Sequence, residues 1–128
     1  MTPSHYTHTQ IEPIKVINSI NLGFNLGSAY KYLARAGHKG SKAEDLKKAI
    51  DFIGYEIEQQ TFFCDKAKLE KMKFILAKED KDNLVYVFLL ILIQSQSTHN
   101  DYTLELGVMK RFLESILQKS AETTTTKD

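Results

Sequence analysis

Residues 84–93 read Leu-Val-Tyr-Val-Phe-Leu-Leu-Ile-Leu-Ile, ten side chains without a charge among them, and no other stretch constrains the fold as tightly. A membrane-spanning helix needs about 20 apolar residues, so this run is about half the required length and belongs in a core. By composition it could be a buried strand. The apolar pattern, however, continues for about 14 residues before the next polar break, too long for one strand, and no partner strand is evident. A helix over 84–97 is therefore expected, capped from the polar cluster Asp80, Lys81, Asp82 and Asn83. A chain of 128 residues has little spare interior in which to hide every face of it. Such a helix is either central to a bundle or shared between subunits.

Helical spacing runs through the rest of the chain. Ile14, Ile17 and Ile20 share one face of a short helix ending near Asn21, with Pro13 tolerated in its first turn. Asn25 is placed to cap a helix over 26–36, where Tyr30, Leu33 and Ala34 share a face and Gly37 supplies the left-handed stop. Ser41-Lys42-Ala43-Glu44 has the Ser-x-x-Glu form of a capping box, in which serine and glutamate each satisfy a backbone donor of the other. The helix that follows reaches about Gln60 and carries Leu46, Ala49, Ile50, Ile53 and Ile57 on one stripe. The pattern breaks around Cys64 and resumes over 66–78 with Leu69, Met72, Ile75 and Leu76 inward. A last helix over 102–119 holds Leu104, Val108, Phe112, Leu113, Ile116 and Leu117, and 121–128 is read as a disordered tail. The fold class is all-α, a compact bundle of five to six helices. One domain is expected over 1–120, its packing or oligomerisation helices falling in 61–120.

Seventeen basic and sixteen acidic side chains leave a formal charge of +1, which excludes a global field for coating nucleic acid or an anionic membrane. Any basic site must be local. The single cysteine, Cys64, cannot close an internal disulfide, and the four histidines lack the spacing of a zinc site. A reducing, intracellular setting fits these counts, and residues 1–6 show no basic-then-apolar secretory pattern.

The local basic site lies between Tyr30 and Lys42. Lys31 and Arg35 are four apart on a helix and project from one face, and His38, Lys39 and Lys42 follow in the adjoining turn. With Lys47 and Lys48, seven potential cations fall within 18 positions. The helix start after Ser41 adds unpaired backbone donors and the positive end of its dipole, favourable for a phosphate. A plainer alternative has Lys31 and Arg35 lying over the bundle and pairing with Glu44, Asp45 or Asp51. Neither Gly23–Ser28 nor Gly37–Lys42 has the spacing or the strand-to-helix setting of a phosphate loop. Glu44, Asp45, Asp51, Glu56 and Glu58 occupy one helix without the two facing acidic pairs that a helical nucleotide pyrophosphatase uses for magnesium, and most are read as solvated. His5 and Tyr6 could fold back onto a base and a phosphate, or belong to an unordered arm. Cys64 has no base beside it, so covalent catalysis finds no support.

Four pieces in order resemble a family found mainly in bacteriophages, the domain-of-unknown-function family 3310, which includes a small phage nucleotide kinase. They are His5-Tyr6, the stretch from Ile11 to Ile17, the stretch from Gly27 to Lys39, and the stretch from Glu44 to Ile50. Ser28 stands where the family has asparagine, and Asp51-Phe52 replaces a Trp-Tyr pair, so substrate choice is expected to differ if those positions touch ligand. The resemblance implies a nucleotide-handling phage protein with His5, Tyr6, Lys31, Arg35, Lys39 and Asp45 at the ligand. Tyr32, His38 and Ser41 of the same stretch complete the candidate ligand-binding set, within a nucleotide-binding part over 1–60, in the cytoplasm of an infected bacterial host.

Two functions follow from this. In a nucleoside monophosphate kinase-like enzyme, Lys31, Arg35 and Lys39 would neutralise phosphate charge while Asp45 holds magnesium, and ATP would be the donor. A non-catalytic sponge would use the same cations to sequester a nucleotide, such as a cyclic immune signal, without metal or donor. A third possibility is a helical module that inhibits a host protein through the 84–93 surface. A homo-oligomer is expected, and neither a membrane nor a long nucleic acid is an expected partner.

Overall fold

The computed structural model describes residues 11–38, 40–97 and 101–126, and six helices account for most of them: α1 (Pro13–Ile20), α2 (Gly23–Arg35), α3 (Lys42–Gln59), α4 (Lys66–Lys78), α5 (Leu84–Ser97) and α6 (Tyr102–Thr126). No strand occurs among the described residues. No described helix is long and apolar enough to cross a membrane.

In α1, Pro13 sits at the start and Asn21 closes the end in the left-handed region at φ 48°. The buried face is Pro13, Val16 and Ile20 rather than Ile14, Ile17 and Ile20. The apolar residues of this helix form one wide face, with Lys15, Asn18 and Ser19 opposite, and periodicity could not say which edge of it is buried. The neighbours α2 and α4 choose: Ile17 lies against Gly27, where an added Cβ would come within 3.0 Å of its Cγ2, and Ile14 is left to solvent.

Helix α2 begins at Gly23, earlier than expected, and Asn25 is not its cap. The Asn25 side chain is buried inside the bundle and donates from Nδ2 to Glu56 Oε1 at 3.2 Å and Gln59 Oε1 at 3.0 Å. A carboxylate across the interface offers this amide more than the helix's own free donors. Tyr30, Leu33 and Ala34 face the core, and Gly37 at φ 84° makes the left-handed turn. Ser41 Oγ then accepts from Glu44 N at 3.2 Å, the capping contact that starts α3. Leu46, Ala49, Ile50 and Ile53 form its buried stripe.

Asp65 caps α4 by accepting from Lys68 N at 2.8 Å, and Met72 and Ile75 point inward. Helix α5 packs on α2, α4 and α6 and buries Val85, Phe88, Leu89, Leu92 and Ile93. It is the central helix, and Leu84, Tyr86, Val87, Leu90 and Ile91 on it remain partly exposed. On α6 the buried residues are Leu106, Met109 and Leu113, while Leu104, Val108 and Phe112 form an exposed stripe at i, i+4 and i+8. Its apolar face too is wider than the core covers. It continues to Thr126, past the expected stop at Lys119, because extending an existing helix avoids the cost of nucleating one.

Candidate functional site

The antiparallel hairpin of α2 and α3, the most extensive helix pair of the fold, brings together most of the candidate side chains. Near its turn, Arg35 Nε donates to Asp45 Oδ1 at 3.1 Å. Asp45 is only 2% exposed, and its Oδ2 is buried with no hydrogen-bond partner. The plainer alternative, a lysine or arginine pairing with an acid of the next helix, is thus realised for Arg35 and Asp45.

One step along the hairpin, the Tyr32 ring gathers three cations. Lys31 Nζ lies 5.3 Å from its centroid, Lys48 Nζ 5.2 Å and Arg35 Cζ 5.6 Å. An aromatic quadrupole holds each of them and offsets part of their mutual repulsion. Among the described residues neither Lys31 nor Lys48 forms an ion pair. Tyr32 also stacks on Phe52, with centroids 6.1 Å apart and planes 10° from parallel. Phe24 and Tyr55 meet Phe52 edge-on at 5.5 and 5.7 Å.

The expected five-cation corner is divided. His38 and Lys42 line a separate polar cavity of about 160 Å³ with Asp82 and Asn83 of the α4–α5 connection. The Lys42 stem runs over Gly37. Ser41 serves α3 as its cap. His5, Tyr6 and Lys39 lie outside the described residues. A larger groove of about 530 Å³ between α1 and α4 is lined by Val16, Phe74 and Ile75 and contains none of the candidate residues.

Two features escaped sequence reading. Phe24, Ser28 and Tyr32 recur every four residues along α2, and Lys48, Phe52 and Tyr55 follow a matching spacing on α3. That double stripe was the available signal for an aromatic and cationic face. The second is Glu56, one of five helix carboxylates of which most were read as solvated, and only 1% exposed. It accepts from Tyr102 Oη at 2.5 Å, Thr61 Oγ1 at 2.7 Å, Thr61 N at 2.8 Å, Phe62 N at 2.7 Å and Asn25 Nδ2 at 3.2 Å. Burial pushes its pKa up, yet the hydrogen bonds from Tyr102, Thr61, Phe62 and Asn25 outweigh burial and hold it below the usual carboxylate value. Tyr102 responds in reverse, its phenol raised by burial and by the Glu56 carboxylate. All lone pairs of Glu56 are directed to the chain's own donors, so it acts as a structural tie.

Cys64 has its thiol pKa raised, chiefly by burial, which keeps it protonated and poorly nucleophilic. Among the described residues no group of three or more His, Cys, Asp or Glu side chains is placed to hold a metal ion. No curated protein and no solved structure matches the chain. Residues 1–54, which supply α1, α2 and most of α3 together with the Tyr32 cations, match the model of a family described as a protein of unknown function (DUF3310), the family that the sequence motifs resemble.

Proposed function

We infer that this is a phage protein that binds a small phosphorylated nucleotide on the α2–α3 face and holds it without turnover. The observation that carries this reading is the set of three cations gathered on the Tyr32 ring, two of them forming no ion pair among the described residues. Clustered positive charge costs free energy in the empty protein and recovers it when an anion arrives. Phosphate is the anion that suits lysine and arginine together, and the adjoining Phe52, Phe24 and Tyr55 rings offer apolar faces to a base.

Sequestration is favoured over phosphoryl transfer by the state of Asp45. The kinase reading uses it to hold magnesium, but its carboxylate is buried and engaged by Arg35. Arg35 is correspondingly committed on one edge, leaving Lys31 and Lys48 as the freer phosphate contacts. A cyclic immune signal remains within the same ligand class. Homo-oligomerisation, part of the same reading, rests on the exposed α6 stripe of Leu104, Val108 and Phe112 rather than on α5. Val108→Asp should lower the sedimentation mass if that stripe joins two copies.

Incubation with ATP, magnesium and each deoxynucleoside monophosphate separates the two activities. A sponge returns every ligand intact after heat denaturation, whereas diphosphate formation would establish the kinase. In calorimetry, Lys31→Ala and Lys48→Ala should each weaken nucleotide binding about tenfold, the loss of one charge-assisted contact. Unchanged affinity in both variants would remove the Tyr32 cluster from the site.

A further inference from the structure

Two aromatic side chains of the α2–α3 face are left open to water. Phe24 is 77% exposed and Tyr55 48%. Each is braced edge-on against Phe52, at interplanar angles of 76° and 88°. No ring contact joins Phe24 to Tyr55 among the described residues. The face therefore presents two separate aromatic surfaces, one from each helix, and both lead through Phe52 to Tyr32 and its cations.

A mononucleotide with its phosphate beside Lys31 and Lys48 has one base and covers one of these rings. The second ring stays in water. Exposed aromatic rings beside a cationic strip are the elements with which proteins hold single-stranded nucleotides, one base stacked per ring and the phosphates tracked by lysine or arginine. A T-shaped contact also holds each ring away from lying flat on Phe52, so its face remains available for stacking.

We propose that the α2–α3 face binds two or more linked nucleotides, with one base on Phe24, another on Tyr55 and the phosphates at Lys31 and Lys48. This rests on the reading that the Tyr32 cations hold phosphate, and it narrows the ligand from a mononucleotide to a dinucleotide or the end of a single strand.

Calorimetric titration of the full chain with dTMP, dTDP, 5′-phosphorylated dithymidylate and an octamer of deoxythymidylate tests this directly. The dithymidylate should bind at least about tenfold more tightly than dTDP, which carries comparable charge but one base. Phe24→Ala and Tyr55→Ala should each reduce dithymidylate affinity about tenfold. At most one of them should affect dTMP. Both side chains are exposed, so circular dichroism should show an unchanged fold. An octamer that binds more tightly than the dithymidylate identifies a strand as the ligand, and equal affinity identifies a free dinucleotide. If dithymidylate binds no better than dTDP, or if only one ring matters, the two-base site is overturned while phosphate binding at Tyr32 stands. If none of the four binds, both fall together.

Discussion

Arg35 and Lys31 look equivalent in the sequence, two cations four positions apart, yet their neighbours give them different work. Arg35 neutralises Asp45, whose burial makes an unpaired charge there expensive, whereas Lys31 lies over the Tyr32 ring and forms no ion pair among the described residues. Arg35→Ala should therefore lower unfolding free energy by about 2 kcal/mol, toward the low end for a broken buried pair because the arginine side chain is 30% exposed and partly screened. Lys31→Ala and Lys48→Ala should stay within about 0.5 kcal/mol of the parent in urea denaturation. Equal effects of Arg35→Ala and Lys31→Ala would show that the Asp45 contact is not a structural tie. At this scale the spacing of Lys31 and Arg35 suggested a cationic face, while Asp45 and Tyr32 entered the candidate ligand set through the family resemblance. The sequence singled out Phe52 only as a departure from the family pattern and did not name Phe24 or Tyr55, since only packing decides which side of α2 faces water.

Helix starts and stops were legible where a single local interaction fixes them. Ser41, Gly37 and the polar cluster before Leu84 mark boundaries at which the backbone has few alternatives. Ser41→Ala should cost about 1 kcal/mol, since its hydroxyl accepts from Glu44 N at an exposed helix start where water replaces the lost contact only in part. A thermal midpoint unchanged within error would mean that the Glu44 carboxylate or the preceding turn suffices to set the helix. Helix faces were less legible than helix ends. Both α1 and α6 carry an apolar face wider than the core covers, and which part of it is buried is a property of the neighbouring helices. Asn25 illustrates the same limit, because a residue type that favours caps was taken instead by a carboxylate 31 positions away.

The fold as a whole is tied at Glu56, where the start of α2, the end of α3, the turn into Thr61 and Phe62, and the start of α6 all direct donors to one carboxylate. No sequence pattern announces this, because its donors come from positions as distant as Tyr102. The folded carboxylate titrates below its ordinary value, so on acidification the unfolded chain takes up the proton first. The stabilisation is complete above the unfolded pKa of about 4.3 and is lost as pH falls through the lower folded value. Glu56→Gln retains one acceptor but turns an amide toward backbone donors, and should cost about 2 kcal/mol at pH 7. Its stability should then vary less than the parent's between about pH 4.5 and pH 3, so the two denaturation curves converge in acid. Tyr102→Phe should act in between: losing one donor raises the folded pKa of Glu56 toward its unfolded value, so the variant loses less stability than the parent between about pH 4.5 and pH 3. A gap between parent and Glu56→Gln that persists unchanged to pH 3 would assign the acid sensitivity to another carboxylate. A convergent pair of curves, with Tyr102→Phe intermediate in its acid loss, would identify the charge on Glu56 as what joins α6 to the α2–α3 hairpin.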